Sequence, residues 1–197
     1  MRVLCKPTLM ALMVVILAAY CTIAPSPTQP TTQTGIPYVD TVIDAVQSGD
    51  LQAFKTLLVL HPVPCTTEKW LLRQPLCPEG EKDGTLIQTL PMLSSDLGHL
   101  TIDEINAWKG IGEAQLYAVY RTGSYTYSDE FFSAGEFAVV FLPEESDFAF
   151  ILQVTQDGIV RIDYCRVHLD ICQGSTIDEI FKEHESEFIL GPYSINE

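Results

Sequence analysis

Apolar residues first recur at helical spacing after Pro37, where Val39, Val42, Ile43 and Val46 fall on one face, the repeat of an amphipathic helix. Ser48-Gly49-Asp50 closes that pattern, and Asp50 stands where it can cap a second helix with the stripe Leu51, Phe54, Leu57 and Leu58. Pro62 and Pro64 are expected to end this helix, because proline has no amide proton and clashes with the preceding turn. Residues 65–84 are mostly polar, carry Pro75, Pro78 and Gly80, and read as a long ordered loop. A short strand is expected over 85–90. Thr101-Ile102-Asp103-Glu104 then has capping-box spacing and predicts a third, short helix with Ile102, Ile105 and Trp108 on its buried side.

Beyond this point the period falls to two, and β-branched and aromatic residues take over, as strands prefer. Strands are predicted over 115–121, 136–142, 148–155 and 159–164, joined as an antiparallel meander by Pro143-Glu144-Glu145-Ser146 and the turn signal Gln156-Asp157-Gly158. In the last strand Val160, Ile162 and Tyr164 should share one face, with Ile159, Arg161 and Asp163 on the other, as in a sheet covered by helices on one side. Thr176 and Glu179 repeat the capping-box spacing and predict a final helix from Ser175. The expected class is α+β over a single domain at 37–197, with N-terminal helices packed on an antiparallel sheet and a C-terminal helix.

Residues 1–24 differ in kind. Arg2 and Lys6 precede an uncharged, almost wholly apolar run over 9–24, which is the make-up of a signal sequence. The run is shorter than the roughly 20 residues of a comfortable membrane span. Leu17-Ala18-Ala19-Tyr20-Cys21 resembles a bacterial lipobox, which implies lipidation of Cys21; simple secretion and an uncleaved anchor are the alternatives. Residues 25–36 alternate proline with small polar residues and form an extended, solvated linker, reaching some tens of ångströms from a membrane at about 3 Å per residue. The expected location is extracytoplasmic, in the cell envelope, lipid-anchored or secreted.

Charge narrows the partners. With Arg2 and Lys6 set aside with the leader, nine basic side chains face 26 acidic ones, a net charge of −17. Such a surface repels phosphate backbones, which argues against nucleic acid and against docking on anionic headgroups. Leu, Ile, Val and Phe are abundant enough for a folded core.

Six cysteines are present, and Cys5 and Cys21 lie in the leader. The other four, Cys65, Cys77, Cys165 and Cys172, suggest two disulfides in an exported domain. Local pairs Cys65–Cys77 and Cys165–Cys172 are favoured because both close short loops, with a long-range pairing as the alternative. Cys165-x2-His168-x3-Cys172 and His61-x3-Cys65 have ligand-like spacing, but zinc sites usually carry tighter cysteine pairs, so no metal is expected. Gly110-Ile111-Gly112 lacks the third glycine of a dinucleotide loop and reads as a helix stop. No nucleophile-elbow, phosphate-loop or zinc-protease motif occurs.

Two constellations could carry chemistry. Arg161 and Asp163, two apart on a strand, point the same way and could act as anchor and general base if their face lines a pocket; the plain alternative is an ion pair facing solvent. Tyr117 and Tyr164 could line such a pocket with phenols, or pack in the core. Residues 122–135 place Tyr125, Tyr127, Phe131 and Phe132 around Ser128-Asp129-Glu130. Aromatics in a polar loop make an adhesive surface, or tuck beneath it into the core. Asp129 and Glu130 lack the oxygen pattern of a calcium loop.

Helices broken at Ser48-Gly49-Asp50, in the run Val39-Asp-Thr-Val-Ile-Asp-Ala-Val-Gln-Ser-Gly-Asp-Leu51, followed by Asp157-Gly-Ile-Val-Arg-Ile-Asp-Tyr164, resemble the SnoaL-like branch of the NTF2-like superfamily over residues 38–165. The pattern is also similar to that of secreted bacterial proteins. The resemblance implies a cone, in which helices cover a curved sheet with a pocket between them. It implies no particular chemistry, since that superfamily hosts enzymes, binding modules and assembly domains. Two functions follow as expectations. One is a non-catalytic exported domain, tethered to a membrane, whose pocket or aromatic loop binds a small apolar ligand or an envelope protein. The other is a SnoaL-like isomerase or hydrolase acting on a small hydrophobic substrate, with Asp163 as base. Neither requires a cofactor.

Overall fold

The computed structural model describes residues 32–68, 74–94, 97–107, 114–123, 128, 132–143, 148–166 and 187–192. The first helical pattern is α1 (Pro37–Gln47), with Val39, Val42, Ile43 and Val46 all buried. Ahead of it, Asp40 receives the incoming chain: its Oδ1 accepts from the Thr34 amide (2.6 Å) and hydroxyl (2.7 Å), and its Oδ2 from the Gly35 amide at 3.2 Å. Asp50 caps α2 (Leu51–Thr56) by accepting from the amides of Gln52 and Ala53 at 2.9 and 3.0 Å. The helix stops before Leu58, which bridges instead to Ile159. The chain then continues as strand β1 (His61–Pro64). Pro62 and Pro64, expected only as helix breakers, sit in a strand at the end of the sheet order, where a missing donor is tolerated.

The remaining strands are β2 (Leu86–Leu93), β3 (Leu97–Thr101), β4 (Ala114–Arg121), β5 (Phe137–Pro143), β6 (Phe148–Thr155), β7 (Gly158–Arg166) and β8 (Phe188–Leu190). Helix α3 (Ile102–Ala107) lies between β3 and β4. It carries the predicted capping box, the Glu104 carboxylate accepting from the Thr101 amide at 2.7 Å and the Thr101 hydroxyl accepting from the Glu104 amide at 3.4 Å. Ile105 is buried as expected, but Ile102 is exposed; Trp108 lies outside the described residues.

All eight strands form one sheet in the order β1-β2-β7-β6-β5-β4-β8, with β3 paired to β2. The β4–β7 meander is antiparallel as predicted, but β2 joins β7 in parallel through Met92↔Ile162 and Leu93↔Asp163. The chain is therefore mostly β, a mixed sheet with a few short helices. This corrects the expected α+β architecture of N-terminal helices on a curved antiparallel sheet with a C-terminal helix. The short segments of β1, β3 and β8 carry no decisive period of their own and become strands by pairing with β2 or β4, so tertiary partners override local preference. The helix expected from Ser175 lies outside the described residues.

Both faces of the central strands are buried, which explains the near-continuous apolar runs at 137–142 and 148–152. On one face Val139, Phe141, Phe150 and Leu152 pack with the α1 side chains. On the other, Ala118, Tyr120, Ala138, Val140 and Ile151 form a second cluster. A bulge decides which side of β7 goes where: Val154 pairs with Ile159, yet Gln153 pairs with Arg161. The extra residue puts Ile159 beside Ile162 and Tyr164 in the α1 core. The predicted grouping of Ile159 with Arg161 and Asp163 is corrected accordingly.

The loop after β1 is closed by Cys65–Cys77, with Cα atoms 4.8 Å apart. Cys65 also exchanges backbone bonds with Thr85 and Gly84, both 2.8 Å, and the Thr67 amide donates to Asp83 Oδ1 at 2.9 Å. Of the other favoured pair, Cys165 belongs to β7 and Cys172 lies outside the described residues. Replacing Cys65 and Cys77 together with serine should lower stability by about 2–3 kcal/mol on the loop-entropy scale. Denaturant titration of the oxidised wild type and the double variant measures it; equal midpoints would show that the loop is held by its backbone bonds alone.

Candidate functional site

The second face of the sheet carries a polar cluster built on Gln153 of β6 and Arg161 and Asp163 of β7, all buried. Arg161 donates from Nε to Asp163 Oδ1 at 2.6 Å and from Nη2 to Asp163 Oδ2 at 3.0 Å, a two-pronged pair. Gln153 Nε2 donates to Asp163 Oδ2 at 2.9 Å. Strand geometry explains the convergence. Residues two apart share a face, and the bulged register sets Gln153 opposite Arg161.

The cluster also grips the segment before β5. Arg161 Nη1 donates to the Phe132 carbonyl at 2.9 Å, and Gln153 Oε1 accepts from the Gly135 amide at 3.1 Å. Thr122 adds a hydroxyl bond to the Gly135 carbonyl, and Glu136 N donates to Val154 O at 2.8 Å. Gly135 permits this approach, since a Cβ there would overlap the Val154 backbone. These four groups thus hold Phe132, Gly135 and Glu136 down, and Phe132 is 2% exposed.

Phe132 in turn packs on His99 of β3, ring centroids 5.2 Å apart. His99 Nδ1 is 3.2 Å from the hydroxyl of Thr89, a fully buried residue. Burial holds the His99 pKa below the ordinary imidazole value, and neighbouring His61 adds to the effect. Burial pushes the Asp163 carboxyl above the usual carboxylate range, against the pull of Arg161 and Gln153. Tyr120 of β4 lies on the same face, its phenol pushed up by burial and by the Asp163 charge.

The residues expected at the site separate. Arg161 and Asp163 do share a face, but it is buried rather than solvent-facing. Tyr117 packs against the second-face cluster, whereas Tyr164 packs in the α1 core, so the sheet lies between them and they line no common pocket. Burial pushes the Tyr164 phenol up. Phe132 is a packed core ring; Phe131, Tyr125, Tyr127, Asp129 and Glu130 lie outside the described residues, as do residues 1–31, Cys21 among them. Gln153, Tyr120, Thr89 and His99 were not foreseen as a group. Gln153 had a signal, a lone amide in the apolar run Phe148-Ala-Phe-Ile-Leu-Gln-Val154, but only the register gives it a partner.

Among the described residues no group of three or more His, Cys, Asp or Glu side chains could hold a metal ion. The His61-x3-Cys65 spacing yields no thiolate ligand, because Cys65 is bonded to Cys77. Nor, among the described residues, is any helix long and apolar enough to cross a membrane. Compared with known proteins, the chain matches no family profile, no curated protein and no solved structure.

Proposed function

We propose that this chain is an exported, non-catalytic binding domain, held at the cell envelope through a lipid on Cys21, that captures a small apolar molecule or another envelope protein. The observation that carries this reading is the state of Asp163. Its two oxygens receive three hydrogen bonds from Arg161 and Gln153 inside the sheet packing. To accept a proton from a substrate, the carboxylate would have to strip a buried guanidinium of its counter-charge, which is costly in a dry interior. The pair serves as an internal clamp on residues 132–135 rather than as an anchor and base.

The Cys65–Cys77 disulfide supports export, since such bonds persist in oxidising compartments. Two large apolar side chains support a binding surface beside it. Leu76 is 51% exposed and bridges Thr66, and Leu86 is 65% exposed opposite Pro64.

The full chain, isolated from its own source in mild detergent, is expected to retain a ligand or partner in native mass spectrometry. Leu76→Ser combined with Leu86→Ser should release it with the thermal midpoint unchanged, and labelled palmitate should enter the wild type but not Cys21→Ser. The opposite finding is a chain that carries nothing, yet loses its biological activity when a folded Arg161→Met/Asp163→Leu variant replaces it. That result would sink the binding reading in favour of acid–base chemistry at Asp163.

A further inference from the structure

We propose that residues 132–135 form an acid-released latch: protonating His99 breaks its packing on Phe132 and lets this segment lift from the sheet. Three contacts meet at the two ends of the segment. The Phe132 ring meets the His99 ring, the Phe132 carbonyl meets Arg161, and the Gly135 amide meets Gln153.

His99 is faced by His61 of β1, Thr89 of β2 and Phe132 of the latch. Arg161 of β7 holds the carbonyl of the same phenylalanine, and its own charge is matched by Asp163. Among the described residues, the charged neighbour acting on His99 is thus another potential cation, His61, and no carboxylate. Neutral His99 can accept from the Thr89 hydroxyl. Once Nδ1 carries a proton it must donate to that oxygen instead, which leaves the hydroxyl hydrogen to the His61 carbonyl at a longer 3.5 Å. A half-buried cation with these neighbours gains by reaching water, and the Phe132 ring stands in its way. The lowered proton affinity of His99 agrees with this direction.

Loss of the ring contact removes one of the ties that hold this segment to the sheet. The expected consequence is local opening without unfolding of the sheet.

Amide hydrogen exchange on the full chain tests the proposal. After correction for intrinsic exchange, protection of the Gly135 amide should fall about tenfold between about pH 7.5 and about pH 5, while the Val139 amide in β5 stays constant. In His99→Asn, which keeps an acceptor near Thr89 but does not titrate, protection at Gly135 should be flat. Should that variant fail to fold, His61→Gln provides the second reading: removing the opposing cation should move the opening midpoint to higher pH. Protection that is independent of pH, or that rises in acid because the charged imidazole packs better on Phe132, overturns the proposal. So does an equal fall in His99→Asn, or an unmoved midpoint in His61→Gln.

Discussion

Asp163→Ala is expected to destabilise the domain by about 3–5 kcal/mol, the range for removing one partner of a buried ion pair. Arg161 is fully buried, and the substitution leaves its charge with the Phe132 carbonyl in place of a carboxylate. Replacing both members, as Arg161→Met/Asp163→Leu, removes the charge altogether and should recover most of the loss. About 1–3 kcal/mol should remain for the Phe132 carbonyl left without its buried donor. Urea unfolding of the three proteins at neutral pH gives the numbers. A double variant as unstable as Asp163→Ala would mean that packing around the clamp, not its charge, sets the loss. The pH dependence separates two residues of opposite sign. The Asp163 pKa is raised on folding, so its own contribution is complete in acid and fades as pH rises through the folded value. The His99 pKa is lowered from 6.5, so its contribution is complete above that value and is lost as pH falls toward the folded one.

Gly158→Ala should cost about 2–4 kcal/mol. Gly158 opens β7 with φ +134, a conformation that alanine strongly resists, and a Cβ would overlap the Leu57 carbonyl oxygen. That oxygen accepts from the Ile159 amide at 2.7 Å in the contact that ties the end of α2 to the sheet. Strain of about 1–3 kcal/mol and a weakened backbone bond of about 0.5–1.5 kcal/mol make up the figure. Gly80→Ala is the control, since Gly80 has φ +89 but open space where a Cβ would go. Thermal or urea unfolding should show Gly158→Ala the worse of the two by at least about 1 kcal/mol; equal losses would assign the whole effect to the dihedral angle.

Where the pattern was strong and local, the sequence and the structure agree. The α1 stripe, the Asp50 cap, the Thr101–Glu104 box and four strands of the meander each depend on residues within a few positions of one another. What failed depends on distant partners. Pro62 and Pro64 belong to a strand because β2 lies beside them, and three-residue β8 exists because β4 offers an edge. At the site, the shared face of Arg161 and Asp163 was legible from spacing, but its burial was not, because a strand does not show whether its polar face will be covered. The bulge at Ile159 was hidden too, and it alone sets Gln153 opposite Arg161. Pairing Tyr117 with Tyr164 failed for the same reason: two phenols on different strands carry no sign of which face each will take.

The parallel junction between β2 and β7 also orders events in time. The meander can assemble by closing short hairpins, whereas Met92 and Ile162 are about 70 residues apart in sequence, and closing so long a loop is slow. Among the described residues two pairs make that junction. A full-length chain refolding from the unfolded state is therefore expected to close its β4–β7 meander first, leaving the edge of β7 open until β2 docks on it. During that interval the unpaired edge is open to a second chain, so the yield of refolding should fall as protein concentration rises.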